Sequence, residues 1–217
     1  MSPPRVVVCR NEVDPAHAYH CDALSASFPD AVDLDYAAGE RPDLGELDAV
    51  VLTGSTAGVY EADDRPWIRD ARRLVRRAVD REVPLLGVCF GHQLVNDALG
   101  GRVEHRGLTA RLVDADVADD PLFAGVEPTF PMVHGDHVTE LGEGMEAIAS
   151  ADYYPLLASR HADAPVWTTQ YHPEFTGDFL SRIERDFGWE GARDFGDVTA
   201  ARTVENFLRL ADVDGDD

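Results

Sequence analysis

The chain has 217 residues and no lysine. All 19 basic residues are arginine, set against 41 Asp and Glu, for a formal net charge of -22. That balance excludes a basic groove for phosphate backbones, so nucleic acid is not an expected partner. A phosphate loop of the Gly-Lys type is excluded for want of its lysine, and no nucleotide-binding domain is expected in these residues. Cysteine is scarce: Cys9, Cys21 and Cys89 cannot build a disulfide framework. No apolar run approaches the ~20 residues of a membrane span. Val6-Val7-Val8, after Met1-Ser2-Pro3-Pro4-Arg5, is too short for the apolar stretch of a signal peptide. Repeats and low-complexity linkers are missing too. These absences predict a soluble cytoplasmic chain with reduced thiols and no membrane contact.

A 44% hydrophobic share is ample for a core. A carboxylate-rich surface keeps a chain soluble and self-repelling, most usefully where salt screens charge. The composition resembles that of cytosolic proteins of extreme halophiles. Short apolar runs at Arg5–Cys9, Ala31–Leu34, Ala49–Thr53 and Val83–Val88 predict strands. Between them, Trp67–Arg81 predicts a helix, with Ile68, Ala71, Leu74, Val75, Ala78 and Val79 on one face and arginines on the other. Strands alternating with helices predict a parallel sheet covered on both faces. After Gly100-Gly101 the pattern changes to short strands, at Arg111–Val113, Thr129–Val133, Ala147–Ala149, Pro155–Ala158 and Val166–Gln170. Helices are predicted near Gly177–Phe187 and Val198–Leu210. The expected fold is α/β, a three-layer sandwich around a mostly parallel, flavodoxin-like sheet with an antiparallel extension. One domain is expected over 1–211, with a frayed acidic tail at 212–217.

Chemistry concentrates in Gly87-Val88-Cys89-Phe90-Gly91-His92-Gln93. An apolar strand ends at a cysteine, glycines flank it two residues to either side, and a helical pattern follows. That is the nucleophile-elbow arrangement with Cys for Ser. The tight turn leaves no room for large neighbours, and the helix start favours a thiolate. The Phe90 N–H can face a developing oxyanion. A buried structural cysteine is the alternative for this segment alone. A second segment, Gln170-Tyr171-His172-Pro173-Glu174, supplies a base and an acid at another strand end. His172 can take the thiol proton and Glu174 can orient the imidazole.

At these residues the chain resembles the class I, triad-type glutamine amidotransferases, whose motifs read G-x-C-x-G-x-Q and H-P-E. Thr53-Gly54-Ser55-Thr56-Ala57-Gly58-Val59-Tyr60 resembles the family's Gly-rich oxyanion loop. His134-Gly135-Asp136-His137-Val138 is similar to a Ser-His-Gly-Asp-x-Val segment in the glutaminase half of GMP synthase and its stand-alone relatives. Two segments depart from that group: Phe90-Gly91-His92-Gln93 stands where it has Gly-Met-Gln, and Arg106-Gly107-Leu108 does not reproduce its Arg-Glu-Tyr-Gly. The resemblance implies Cys89, His172 and Glu174 as catalytic residues and the N–H groups of Gly54 and Phe90 as the oxyanion hole. It implies Gln93, His134 and Gly135 around the substrate, which is glutamine or another γ-glutamyl compound. It implies no cofactor or metal, and a partner synthetase that takes the ammonia.

A stand-alone γ-glutamyl peptidase with the same triad is the competing expectation, and a non-catalytic binding module the third. His17-Ala18-Tyr19-His20-Cys21 reads as one face of an ordinary helix rather than a metal site. His134, Asp136 and His137 read as a polar loop at a pocket rim. The charge count yields a first test. The melting temperature should rise from low to molar KCl, as carboxylates that repel one another become screened. A flat or falling melting temperature over that range would contradict it.

Overall fold

In the computed structural model, which describes residues 5–213, the first half alternates strand and helix as expected. The order is β1 (Val6–Arg10), α1 (Tyr19–Ala26), β2 (Val32–Asp35), β3 (Ala49–Leu52), α2 (Trp67–Asp80), β4 (Leu85–Val88) and α3 (Phe90–Ala98). There follow β5 (Arg102–Asp114), β6 (Asp116–Val117), β7 (Thr129–Glu140), β8 (Met145–Ala151), β9 (Tyr154–His161), β10 (Val166–Thr169), α4 (Leu180–Phe187) and α5 (Arg202–Leu210). Eight strands form one sheet in the order β2-β1-β3-β4-β10-β9-β8-β6. The first five are parallel, with Val7 opposite both Val32 and Val50, Val51 opposite Leu86, and Leu86 opposite Trp167. From β10 onward the neighbours are antiparallel.

Alternation within each strand explains the unbroken apolar runs. Val6 and Val8 face one layer, with Leu24 of α1 and Phe207 of α5. Val7 and Cys9 face the other, with Ile68 and Val75 of α2 and Leu94 of α3. A strand buried on both faces has no polar side to show. Each Val or Leu so buried stabilises the fold by about 1.5–3 kcal/mol. α2 buries Trp67, Ile68, Ala71, Leu74, Val75 and Ala78, the face its spacing predicted. No helix among the described residues is long and apolar enough to cross a membrane.

Two expectations need correction. The antiparallel half divides: β9, β8 and β6 extend the main sheet, whereas β5 and β7 form a separate two-stranded ribbon. Its strands run far beyond the short pieces expected at Arg111–Val113 and Thr129–Val133. Residues His134–Val138 are therefore part of a strand, not a loop. Their polarity concealed it, because the imidazoles of His134 and His137 pack on Tyr153 and Tyr154 rather than on aliphatic neighbours. At the C-terminus, Val213 packs into the core beside α5, although the expectation had it frayed. Residues 214–217 of the acidic tail lie outside the described residues.

A buried polar chain fastens α3 to the sheet. His92 is fully buried, with Nδ1 2.7 Å from the Thr168 hydroxyl and Nε2 3.0 Å from the Leu156 carbonyl and 3.1 Å from the Tyr154 hydroxyl. The carbonyl requires a proton on Nε2, so Nδ1 accepts. Burial pushes the His92 pKa down to about 3, against the pull of the Leu156 carbonyl. His92→Leu should therefore cost about 2–4 kcal/mol in urea or thermal unfolding, because three buried groups lose a partner. A folded pKa below the ordinary 6.5 adds stability above pH 6.5 that is lost as pH falls toward 3. Acid destabilisation across that window should be shallower in His92→Leu than in the wild type.

Candidate active site

The site lies where parallel strands end. β4, wholly buried, runs into Cys89, whose backbone takes φ 54° and ψ −103°. A left-handed φ at a non-glycine residue costs about 1–3 kcal/mol and persists only where its surroundings impose it. Here the Cys89 N–H donates to the Thr169 carbonyl at 2.8 Å, and the Cys89 carbonyl accepts from the Gln93 N–H at 3.2 Å. The flanking glycines are required by proximity. A Cβ on Gly87 would lie 2.6 Å from the Gly91 carbonyl oxygen, and one on Gly91 would lie 2.5 Å from that of Leu52. Cys89 is thus presented at the start of α3, whose first N–H groups lack intrahelical partners. The Phe90 side chain turns away into the core, against Trp67.

β10 delivers the second segment. The His172 N–H donates to the Pro131 carbonyl at 3.0 Å. Its ring stacks on Phe175 at 4.4 Å, and Nδ1 lies 2.7 Å from Glu174 Oε1. Nε2 is directed at the Val133 carbonyl, 3.2 Å away, and the Cys89 Sγ lies 3.7 Å from the same oxygen. Thiol and imidazole therefore meet at one carbonyl of β7. Both ring nitrogens face acceptors, a setting that suits the imidazolium. Burial alone would lower the His172 pKa. The charges of Glu174 and Cys89 outweigh it and hold the imidazole well above its ordinary range.

These groups border a cavity of about 320 Å³. Its lining includes Cys89, Gln93, Val133, His134, Gly135 and His172. Gln93 donates through Nε2 to the Asp136 carbonyl at 3.3 Å and to Gln170 Oε1 at 3.2 Å. His134 is engaged at both nitrogens, by the Asp136 carbonyl at 3.1 Å and the Tyr153 hydroxyl at 2.9 Å. Burial, with the charge of His137, pushes its pKa down to about 3, so the ring is neutral. The rings of His20 and His172 leave little room for any side chain on Gly54. No group of three metal-ligating side chains occurs among the described residues.

The structure also brings in residues that neither motif contains. Glu12 and His20 line the cavity, although the sequence pattern places His20 on an ordinary helix face. Tyr60, His105 and Asp136 stand at its mouth: the Tyr60 hydroxyl lies 3.4 Å from Asp136 Oδ1 and His105 Nδ1 lies 2.9 Å from it. One signal could have found Glu12. Ligands of open α/β sheets bind beyond the carboxyl ends of the strands, and Glu12 follows β1 there.

The family model for glutamine amidotransferase class-I matches residues 28–187. The glutamine-hydrolysing GMP synthase of Thermosipho melanesiensis is 32% identical over 145 residues, covering 64% of this chain and 26% of that one. That of Staphylococcus carnosus is 32% identical over 167 residues, covering 74% of this chain and 30% of that one. The chain thus matches no more than about a third of the length of either relative. Among solved structures, a glutamine amidotransferase from Thermotoga maritima superposes with a TM-score of 0.68 at 20% identity, over 97% of both chains. A GMP synthase-type protein from Thermoplasma acidophilum superposes with a TM-score of 0.70 at 19% identity, over 98% of this chain and 96% of that one.

The elbow geometry predicts that Gly91→Ala costs about 2–4 kcal/mol, since a methyl group cannot enter beside the Leu52 carbonyl without moving α3. Chemical denaturation measures it, and a loss below about half a kcal/mol would show that the approach is looser than described.

Proposed function

This chain belongs to the class-I glutamine amidotransferase family, and from that premise we propose that it hydrolyses the side-chain amide of glutamine through a thioester on Cys89. One observation carries the proposal. His172 is held between the Glu174 carboxylate and the carbonyl that the Cys89 thiol also faces. In the proposed reaction the Cys89 thiolate attacks the amide carbon, and the Phe90 and Gly54 N–H groups stabilise the oxyanion. As the C–N bond breaks, the His172 imidazolium gives its proton to the departing nitrogen, which leaves as ammonia. The neutral imidazole then takes a proton from water, whose oxygen attacks the thioester. Glutamate departs and the thiolate–imidazolium pair is restored. Glu174 keeps the ring oriented and stabilises its charge. Gln93 and the backbone of His134 and Gly135 hold the amino-acid end of the substrate. Every step uses side chains and backbone groups of this chain, without a cofactor.

The released ammonia passes to an acceptor, in a GMP synthase-like arrangement with a synthetase partner. Tyr60 and Leu108, 57% and 53% exposed, border the cavity, and such a mouth suits a docked partner better than bulk water. Partner docking would cover this mouth and speed hydrolysis over that of the chain alone.

Cys89→Ala should abolish glutamate release, and His172→Ala should reduce it by about 10³-fold or more. Glu174→Gln should retain partial activity. Because it removes the anion that raises the His172 pKa, the alkaline limb of its kcat/KM profile should move to lower pH. Undiminished turnover in Cys89→Ala rules out the covalent route. Efficient cleavage of a γ-glutamyl dipeptide by the isolated chain, with glutamine hardly touched, replaces this function with that of a γ-glutamyl peptidase.

A further inference from the structure

A second histidine–carboxylate pair opens onto the same cavity. Glu12 follows β1 and His20 lies in the first turn of α1, with His20 Nε2 2.9 Å from Glu12 Oε2. Their side chains are 3% and 8% exposed, which removes both from bulk solvent. Glu12 has no capacity left for a ligand. It accepts from the N–H groups of Val13 at 2.7 Å, Asp14 at 2.8 Å and Thr56 at 2.9 Å, and from the Thr56 hydroxyl. This carboxylate therefore ties the loop after β1 to the loop after β3 that carries Gly54.

Nε2 of His20 is satisfied by Glu12, and the Cys21 Sγ lies 3.7 Å from Nδ1 and 4.0 Å from Nε2. Burial works against a charge on the ring, but Cys21 and Glu12 outweigh it and push the pKa up to about 10. The ring presents its edge to that of His172, 6.1 Å between centroids. Gly54 lies between them: a Cβ there would be 3.2 Å from His20 Cε1 and 3.4 Å from His172 Cε1. The titratable groups around this spot are Glu12 from the loop after β1, Tyr19 and Cys21 from α1, Cys89 from the elbow, His172 and Glu174 from beyond β10, and His134 from β7.

Resting on the glutamine-hydrolysis reading, we propose that the Glu12–His20 pair is a positioning device that braces Gly54 and sets a fixed positive charge beside Cys89 and His172. Glu12 meets the ring at Nε2, while Cε1 is the ring atom nearest the space beside Gly54. A cation lining the same cavity as Cys89 favours its thiolate, and one 6.1 Å from the His172 ring disfavours a second proton there. It thereby lowers the pH at which the thiolate–imidazolium pair forms, and it makes His172 a stronger acid toward the leaving ammonia. The brace has a separate effect. It holds the Gly54 N–H where the oxyanion develops, at no reorganisation cost during reaction.

The test compares the wild type with His20→Gln and Glu12→Gln, and reads the pH dependence of Cys89 alkylation by iodoacetamide beside kcat/KM for glutamine. Both variants should raise the alkylation midpoint by about one pH unit. Both limbs of the kcat/KM profile should move to higher pH, opposite to the shift expected for Glu174→Gln. At neutral pH kcat should fall about tenfold or more, with KM changed less than about threefold. A folded His20→Gln with an unmoved alkylation midpoint overturns the proposal. Should the variants fail to fold, the wild type still decides. By nitrogen NMR the His20 ring should remain an imidazolium at about pH 8, and a neutral ring there overturns the proposal. Alkylation and NMR need no glutamine. Glutamine turnover surviving in Cys89→Ala would remove the hydrolysis reading instead, and would be recognised as that separate failure.

Discussion

Backbones converge at Cys89 more closely than side chains permit. Gly87 passes against Gly91, and Gly91 passes against the Leu52 carbonyl at the end of β3. The left-handed turn at Cys89 lets the chain leave β4 and enter α3 within that space. The turn is strained, and the sheet supports it. β4 is hydrogen-bonded on both sides, to β3 and to β10, and the Cys89 N–H continues that ladder to Thr169. The same ladder sets the position of His172. Thr169 stands opposite Val88, so the residues just beyond each strand emerge together at one edge of the sheet. A one-residue slip of β10 would reverse its side chains and carry His172 to the wrong face. The relation of thiol to imidazole is thus a property of the sheet register.

Polar groups gather where the parallel strands stop. Glu12 follows β1, Gly54 follows β3, Cys89 follows β4 and His172 follows β10. The sheet interior holds little that can titrate, so these few ionisable groups interact in a poorly screened space. Each of two imidazoles has its own carboxylate, Glu174 for His172 and Glu12 for His20. His92 and His134 show the converse. They are buried without an acid partner, are held neutral, and serve as structural donors and acceptors.

The parts of this arrangement that were legible in the sequence are those with local causes. The elbow was legible because Gly-x-Cys-x-Gly between an apolar strand and a helix has one geometric solution. The α2 helix was legible because its apolar residues recur at helical spacing along its whole length. The β5–β7 ribbon was legible only at Arg111–Val113 and Thr129–Val133, where it touches the aliphatic core, because its middle satisfies polar residues against Tyr153 and Tyr154. Those tyrosines are remote in sequence and carry no signal at His134 or His137. His20 escaped for a related reason. Its partner Glu12 reaches it across a loop, and neither helical nor strand periodicity links the two positions.

Among the described residues β5 and β7 pair with each other and not with the eight-stranded sheet. Their pairing is interrupted between His105 and Thr109, where Leu108 and His105 face the cavity mouth. Insertions or exchanges at that bulge reshape the entrance without breaking a single rung beneath Cys89 or His172. The protein thus separates two duties: strands that fix Cys89 and His172, with β7 among them through its Pro131 and Val133 carbonyls, and a bulge in β5 on which new preferences for substrate or partner can be tried at small cost to folding.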